Sequence, residues 1–289
     1  MKVIILGADG MLGNDLGKVF YDLGPYLLDK LELDVTNERA INNVFLKLKP
    51  DVVINAAAYT DVDGCEVNKD LAMQVNGNAP GYLAKASKEV GAVFLHFSTD
   101  YVFSGDNKDG YNESDEPSSP INFYGETKFA GEKAVMECGG KFYLIRTSWL
   151  FGDSSNIGKG KHVNFVETMI RLAKDKDEIR VVSDQHGKPT YTLDLAEKVK
   201  KLIDKKGEFG IYHLANEPAT TWFEFAKEII DKWSRKADGT VRIPGIVPVD
   251  SDEFPRPAKR PKYSVLLNTK LPPMRSWKDA LNDYLGSRD

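Results

Sequence analysis

The sequence predicts an α/β fold, with a doubly wound parallel sheet and a smaller, mixed domain towards the C-terminus. Short apolar runs alternate with helix-length amphipathic segments through the first 150 residues, the pattern of a parallel sheet with helical crossovers. After about residue 150 this rhythm breaks into stretches rich in glycine and proline. Because a glycine-rich turn also follows the first apolar run, the first part is typical of a Rossmann-type sheet.

Five short apolar runs are the predicted strands of this sheet. They are continuously apolar rather than alternating, as expected of parallel strands with both faces covered. They are Val3–Leu6, Tyr26–Leu28, Val52–Asn55, Val93–Ser98 and Tyr143–Thr147. Helices long enough for right-handed crossovers are predicted between them, near residues 11–22, 37–47, 78–90 and 123–137.

The second half of the chain is less regular. Its predicted elements are helices from Asn164 to about Ala173, over Asp194–Asp204 and over Trp222–Trp233, and strands over Ile179–Ser183 and Gly210–Ala215. Seven prolines between Pro244 and Pro273 favour extended loops over a second regular sheet. We expect residues 1–150, with about 185–218, to form the cofactor-binding domain. Residues 151–184 and 219–289 are expected to form the substrate-binding domain.

Composition and charge argue against several functional classes. The chain carries 39 basic and 43 acidic side chains, a near balance that gives no reason to expect a nucleic-acid partner. No apolar stretch approaches the roughly 18 residues of a membrane span, and the N-terminal run is too short for a signal peptide. Two cysteines and four scattered histidines lack metal-ligand spacing, so no metal site is predicted. We therefore expect a cytoplasmic protein.

A glycine-rich turn follows the first predicted strand and opens the first predicted helix. Its sequence is Gly7-Ala8-Asp9-Gly10-Met11-Leu12-Gly13. Glycines there permit a tight turn and let backbone amides approach a pyrophosphate, which the helix N-terminus favours electrostatically. The spacing is G-x-x-G-x-x-G, and its place between a strand and a helix predicts a bound nicotinamide dinucleotide.

Residues after the second and third predicted strands bear on cofactor choice. Asp29 stands where an acid would hold the adenosine ribose of NAD, whereas the adjacent Lys30 would tolerate the 2′-phosphate of NADP. The preference between NADH and NADPH therefore stays open. Asp34-Val35 is placed to meet the adenine, with a turn as the alternative role for Asp34. The small residues of Asn55-Ala56-Ala57-Ala58 suit a close cofactor, and equally a tight sheet–helix junction.

A strand end and a Tyr-Lys pair predict carbonyl reduction. Thr99 follows the fourth predicted strand, at the edge where such sheets place their sites. Tyr124 and Lys128 lie four apart in a predicted helix and so share one face. Reducing a ketone requires a proton on oxygen, and the Lys128 ammonium is expected to lower the pKa of the Tyr124 phenol. A Thr99 hydroxyl would hydrogen-bond the same carbonyl oxygen.

Together these features resemble the extended short-chain dehydrogenases/reductases, and most closely the dTDP-4-dehydrorhamnose reductase family, over nearly the whole chain. The motifs that carry the resemblance are Asn55-Ala56-Ala57-Ala58-Tyr59-Thr60-Asp61-Val62-Asp63, Ser98-Thr99-Asp100-Tyr101-Val102-Phe103, Tyr124-Gly125-Glu126-Thr127-Lys128, Arg146-Thr147-Ser148-Trp149, Asp184-Gln185-His186-Gly187-Lys188-Pro189-Thr190 and Arg256-Pro257-Ala258-Lys259-Arg260-Pro261.

The resemblance implies a reaction and a set of site residues. The reaction is reduction of the C4 ketone of dTDP-4-dehydro-L-rhamnose to dTDP-L-rhamnose by NADPH or NADH, with tyrosine as proton donor, for cell-surface polysaccharide biosynthesis. The catalytic residues would be Thr99, Tyr124 and Lys128. Cofactor contacts are implied for Gly7, Gly10, Met11, Leu12, Gly13, Asp29, Lys30, Asp34, Val35, Ala57, Ala58, Tyr59, Thr60, Asn76, Tyr124 and Lys128.

Substrate contacts are implied for Thr99, Asp100, Tyr101, Trp149, Arg256 and Arg260. Guanidinium groups suit phosphate geometry, so the two arginines are candidate diphosphate partners, with a solvated basic loop as the alternative. The resemblance gives Asn76 a role in supporting the active-site lysine through water. It also allows a homodimer and Mg²⁺, although no residue of this chain secures either.

Alternative functions use the same residues in other ways. A related dehydratase needs an Asp-Glu pair after the threonine, and here Asp100 is followed by Tyr101, which favours simple reduction. Epimerases usually need a further acid–base group, and no suitably placed cysteine or histidine is found. A reductase forming the C4 epimer, a 6-deoxytalose, stays open.

A catalytically silent NADP-binding protein, like the regulatory subunit of methionine adenosyltransferase, is disfavoured by the complete Thr99–Tyr124–Lys128 set. The loop Gly152–Val163 is longer than in the family members compared. It is either a substrate lid or an idle insertion.

Overall fold

The computed structural model describes residues 1–154, 164–236 and 243–287. Its main strands are β1 (Val3–Leu6), β2 (Tyr26–Leu28), β3 (Val52–Asn55), β4 (Val93–Thr99) and β5 (Phe142–Thr147). Shorter or later strands are β6 (Leu150–Phe151), β7 (Glu178–Val182), β8 (His186–Gly187), β9 (Thr190–Tyr191), β10 (Gly210–His213), β11 (Thr220–Thr221) and β12 (Gly245–Val249).

Ten α-helices accompany these strands in the described ranges. They are α1 (Met11–Val19), α2 (Glu38–Leu48), α3 (Val62–Val67), α4 (Lys69–Ala72), α5 (Ala79–Glu89), α6 (Phe123–Cys138), α7 (Phe165–Asp175), α8 (Thr192–Asp204), α9 (Trp222–Lys236) and α10 (Trp277–Gly286). A π-helical segment, Met73–Asn78, joins α4 to α5. None of the helices in these ranges is long and apolar enough to cross a bilayer.

One six-stranded sheet organises the fold. Its order is β10-β5-β4-β3-β1-β2, and every neighbouring pair is parallel. Ile5 on β1 belongs to a buried cluster with Leu16 of α1 and with residues of α8. Ile4, pointing to the other face, packs in a second cluster with Phe45 of α2 and residues of α5. Helices therefore cover both faces, and the predicted doubly wound fold is confirmed.

The strand order reverses at β1, which lies between β2 and β3. In open α/β sheets a ligand crevice forms outside the carboxyl ends of the strands at such a point. Here the crevice is bordered by the glycine-rich turn after β1 and by the residues that follow β3. The topology thus places the predicted cofactor turn at the expected position.

The region after residue 150 builds a separate buried cluster from α7, α9 and α10, together with Phe151 and Tyr191. Apart from β10, which joins the large sheet, its strands form three two-stranded sheets, β7 with β12, β8 with β11 and β6 with β9. The predicted helices near α7, α8 and α9 are present, whereas α10 and the proline-containing strand β12 were not predicted. The assignment of residues to two domains stays a prediction. Most of the long loop, residues 155–163, lies outside the described residues.

Candidate active site

The glycine-rich turn joins β1 to α1, and at two of its positions there is no room for a side chain. Gly7 has a φ of +71°, and a Cβ there would lie 2.7 Å from the Ala57 Cα. A Cβ on Gly13 would lie 2.1 Å from the Gly7 carbonyl oxygen. Gly10 is the N-cap of α1, where no side chain caps the helix and no acidic residue occupies the first turn. The amides of Met11 and Leu12 at this terminus therefore suit a pyrophosphate.

The residues after β2 mostly serve local turns. The Asp29 carboxylate accepts from the Leu31 amide at 2.6 Å, and Lys30 is exposed beside it. The Asp34 carboxylate accepts from the amide and hydroxyl of Thr36, and these hydrogen bonds lower the pKa of Asp34. Asp34 thus makes the contacts of a turn, its alternative predicted role, and its contact with the cofactor stays a prediction. Val35 is buried in the core, and its contact with adenine stays a prediction.

The segment after β3 is tied to α6 through Asn76. The Asn76 side chain pairs with the backbone of Tyr59, accepting from its N–H and donating to its carbonyl, both at 2.9 Å. It also donates to the Thr127 hydroxyl at 3.3 Å, one residue before Lys128. Ala57, Ala58 and Tyr59 are partly buried in this segment and Thr60 is exposed. Asn76 thus contacts the neighbour of the lysine directly.

The structure brings Thr99, Tyr124 and Lys128 together. Thr99 ends β4, and its side chain is close enough to that of Tyr124, in the first turn of α6, to affect the pKa of the phenol. The Lys128 ammonium, one turn further on, is buried and donates to the Phe97 carbonyl at 2.6 Å. It also lies 3.4 Å from Nε2 of His96, whose other ring nitrogen is 3.0 Å from the Asn55 amide nitrogen. Buried polar side chains therefore connect the lysine, through His96, to Asn55 at the end of β3, next to the cofactor crevice.

The pKa of Tyr124 is raised in this structure, so the net lowering predicted from its Lys128 neighbour is wrong. Burial first, and then the Asp100 carboxylate, raise the pKa of Tyr124, while the nearby Thr99 side chain opposes this rise. The Lys128 ammonium is engaged by the Phe97 carbonyl. Burial lowers the pKa of Lys128 to about 8, although the Glu132 carboxylate acts in the opposite direction. At neutral pH the Tyr124 phenol is therefore protonated, and the Lys128 side chain is charged in most molecules.

Asp100 is a buried acid at the centre of the site. One carboxylate oxygen accepts from the Thr99 hydroxyl at 2.9 Å, and burial raises the pKa of Asp100 to about 7. Its other oxygen is buried without a hydrogen-bond partner, as are the hydroxyls of Ser98 and Thr147. Thr147 is in register with Thr99 on the neighbouring strand. The side chains of Thr99 and Thr147 therefore lie on the same face at the carboxyl ends of β4 and β5, and the unsatisfied Thr147 hydroxyl marks a place where a ligand would complete the hydrogen bonding.

Tyr101 and Arg260 extend the site beyond the strand ends. The Tyr101 ring meets that of Tyr124 edge to face, with centroids 5.9 Å apart. The Arg260 charge is close enough to oppose the rise in the pKa of Tyr101 that burial causes. Arg260 is 18% exposed and pairs with Asp63 at 3.0 Å, whereas Arg256 is 53% exposed and 3.7 Å from the same carboxylate. Arg260 is therefore held at the site rather than solvated.

Asn122 and Asp63 fasten this basic segment to the sheet domain. As the N-cap of α6, Asn122 accepts from the Gly125 amide, and its own amide donates to the Lys259 carbonyl at 2.7 Å. The Asp63 carboxylate also accepts from the Ala258 amide at 3.1 Å. Sequence reasoning missed the roles of both residues and of His96. The N-cap preference for asparagine was the one available signal for Asn122.

Trp149 lies two residues beyond β5, partly exposed, next to the strand end that carries Thr99. It therefore borders the same edge of the sheet as the catalytic residues. In the residues that the structure describes, no three His, Cys, Asp or Glu side chains are grouped to hold a metal ion.

Known proteins match this chain over nearly its full length. A family model described as the RmlD substrate binding domain matches residues 1–288. The chain belongs to this family. A relative named dTDP-4-dehydrorhamnose reductase, from Burkholderia thailandensis, is 39% identical over 282 residues, which cover 94% of this chain and 92% of the relative. The spore coat polysaccharide biosynthesis protein SpsK of Bacillus subtilis is 38% identical, over 99% of this chain and 98% of its own.

A solved family structure agrees. The dTDP-4-dehydrorhamnose reductase of Bacillus anthracis, in complex with NADP, superposes with a TM-score of 0.89 at 40% identity, covering 98% of both chains. The family resemblance and the Rossmann-type fold predicted from the sequence are therefore confirmed.

Proposed function

We propose that this chain is an NAD(P)H-dependent oxidoreductase that reduces the C4 ketone of dTDP-4-dehydro-L-rhamnose to dTDP-L-rhamnose. The observation that carries the proposal is the convergence of Thr99, Tyr124 and Lys128 at the same carboxyl edge of the parallel sheet as the uncapped glycine turn. Relatives at 39% and 40% identity bear the corresponding reductase name, and one is solved with NADP. The name of SpsK supports a place in polysaccharide biosynthesis.

Tyr124 is the proton donor in this mechanism. Its raised pKa keeps the phenol protonated, so that a proton is available for the C4 oxygen as charge develops there. Thr99, whose side chain lies near the phenol, orients the same oxygen. The charged Lys128, one helical turn away, stabilises the phenolate that remains. The reduced nicotinamide, when bound, supplies the hydride.

The remaining predicted contacts divide between the two ligands. Gly7, Gly10 and Gly13 shape the turn against which the pyrophosphate of the cofactor would lie, and Asp29 and Lys30 border its ribose. Exposed Lys30 leaves room for the 2′-phosphate of NADPH, while NADH remains an accepted cofactor. Arg260, with Arg256 further out, would bind the diphosphate of the sugar nucleotide. Trp149, Asp100 and Tyr101 would line the sugar pocket.

The proposed mechanism assigns no role to Mg²⁺, because the proton and hydride steps need only Thr99, Tyr124, Lys128 and the reduced nicotinamide. A cytoplasmic location suits a reductase that consumes NADPH or NADH. The homodimer stays a prediction. The 6-deoxytalose alternative shares every residue of this mechanism and differs only in which face of the ketone meets the nicotinamide.

One assay tests the proposal. The purified protein is mixed with NADPH or NADH and dTDP-4-dehydrorhamnose, nicotinamide absorbance is followed, and the product sugar is identified. Oxidation of the cofactor with formation of dTDP-L-rhamnose supports it. A talose product would keep the mechanism and change the product. No oxidation, with Tyr124→Phe behaving as wild type, would refute the reductase and favour a silent cofactor-binding protein.

A further inference from the structure

We propose that Trp222 and Gly187 are positioning residues that fix the indole of Trp149 at the border of the sugar pocket. The inference rests on the proposed function, since it assumes a sugar nucleotide in the pocket. Four features of the structure carry it. They are the backbone conformation of Trp149, the packing of its indole against Gly187, the stacking of Trp222 on that indole, and the position of Trp149 at the edge of the sheet that carries Thr99.

The backbone of Trp149 has a left-handed conformation, with a φ of +47°. Bulky residues rarely adopt this region, and such conformations persist where the surroundings hold them. Here the Trp149 carbonyl accepts from the Thr190 amide at 3.2 Å. The preceding Ser148 hydroxyl donates to the Lys188 carbonyl at 2.7 Å. The chain on both sides of the indole is therefore tied to the segment 186–190.

The indole of Trp149 packs against Gly187, which lies in that segment. A Cβ on Gly187 would lie 2.4 Å from Cε2 and 2.5 Å from Cζ2 of Trp149. Both contacts are with a rigid ring, so even a methyl group would displace it. Gly187 is held in β8 by its antiparallel pairing with Thr220 of β11. The glycine is thus explained by the approach of the indole rather than by its own backbone.

Trp222 holds the indole by stacking. The two rings lie 3.7 Å apart between centroids and are within 11° of parallel. Trp222 opens α9 and is itself packed against Phe165, with centroids 4.5 Å apart. Trp149 stays partly exposed. Because Trp222 and Gly187 both pack against the ring, the part of the indole left for a ligand is its edge.

The indole is also in the right place. Trp149 follows β5 by two residues, and Thr147 at the end of β5 is in register with Thr99. A sugar whose C4 oxygen reaches Thr99 and Tyr124 would have its ring close to this indole. The exposed edge of the indole offers the sugar an apolar contact, and a fixed ring loses little entropy on binding.

The test uses Trp222→Leu, Gly187→Ala and Trp149→Leu, with Trp233→Leu as a matched control on the same helix. Two stacked indoles give an exciton couplet in far-ultraviolet circular dichroism, which we expect to vanish in Trp222→Leu and Trp149→Leu and to weaken in Gly187→Ala. Each of these three should raise KM for dTDP-4-dehydrorhamnose about tenfold, with little change in kcat or in KM for NADPH. Trp233→Leu should leave both readouts unchanged.

A double variant separates positioning from general packing. If Trp222 acts through Trp149, Trp149→Leu/Trp222→Leu should have the KM of Trp149→Leu alone. Additive increases, or equal increases in KM for both ligands, would overturn the inference. So would a couplet that vanishes while KM for the sugar stays constant. A wild type that shows the couplet but no turnover with either cofactor would instead refute the proposed function, and the pocket role with it.

Discussion

The ammonium of Lys128 lies 2.6 Å from the carbonyl oxygen of Phe97, two residues before Thr99 on the same strand. This bond anchors the middle of the catalytic helix to the end of β4. Because Tyr124 is one turn before Lys128 on α6, the same bond helps to set the position of the phenol against Thr99. The first three predictions concern the groups around this contact.

Tyr124→Phe should lower kcat by about two to four orders of magnitude, because it removes the proton donor and keeps the ring. Binding of NADPH, measured by nicotinamide fluorescence, should change little. Tyr82→Phe, on α5, serves as the control and should behave as wild type. An active Tyr124→Phe would show that the proton comes from elsewhere.

The reduction rate should fall as pH rises through about 8. Burial lowers the pKa of Lys128 to about 8, so above that pH the side chain loses the charge that stabilises the Tyr124 phenolate. The measurement is kcat against pH from about 6 to about 9.5. Lys128→Arg keeps its charge throughout and should remove this limb from whatever activity it retains. A flat wild-type profile through pH 9 would contradict the assignment.

Asp100→Asn should change how stability depends on pH. The pKa of Asp100 is raised to about 7 in the folded chain, so ionisation favours the unfolded state as pH rises from about 4 to about 7. The Tm of wild type, relative to Asp100→Asn, should therefore fall between about pH 4 and 7 and level off above. The exposed Asp109→Asn is the control. A Tm difference that is constant with pH would refute the raised pKa.

Thr147→Val should weaken ligand binding without destabilising the protein. The Thr147 hydroxyl is buried and lacks a partner, so its removal costs the free chain no hydrogen bond. If a ligand uses that hydroxyl, the KM of one substrate should rise by about tenfold, while Tm stays equal or increases. Thr168→Val on α7 controls for the substitution. Unchanged KM values for both substrates would leave the hydroxyl without a role in binding.

Arg260→Met should raise KM for the dTDP-sugar more than Arg256→Met does. Arg260 is the more buried of the two and lies close to Tyr101, so its contact with a diphosphate is less screened by water. We expect about a tenfold or larger increase for Arg260 and a smaller one for Arg256, with KM for NADPH unaffected. The exposed Arg235→Met is the control. Equal effects at both positions would point to a diffuse basic surface.

Much of the sheet domain was predictable because its signals are local. The runs at β1, β2 and β3 have the predicted bounds, and the predicted helix at 123–137 lies within a residue of α6. Strand β12 was missed because Pro248 argues against a strand, and only its pairing with β7 makes it one. Helix α1 ends at Val19 rather than near 22, where a short 3₁₀ turn follows.

The site was predictable in its chemistry but not in its connections. Thr99, Tyr124 and Lys128 follow from spacing and residue type. The bonds of Asp63 with residues 258 and 260 span 195 and 197 positions of chain, so no local pattern shows them. The predicted direction of the pKa change at Tyr124 was wrong, because burial and the nearby charge of Asp100 arise only in the folded chain.

Asn122 connects two parts of the protein, because it is the N-cap of α6 and also donates a hydrogen bond to the Lys259 carbonyl. This connection limits how freely the molecule can be re-engineered. A designer who exchanges the 256–260 segment for that of an enzyme with another nucleotide preference would disturb the start of α6. Such a graft should succeed only when Asn122 and Asp63 are treated as part of the exchanged module.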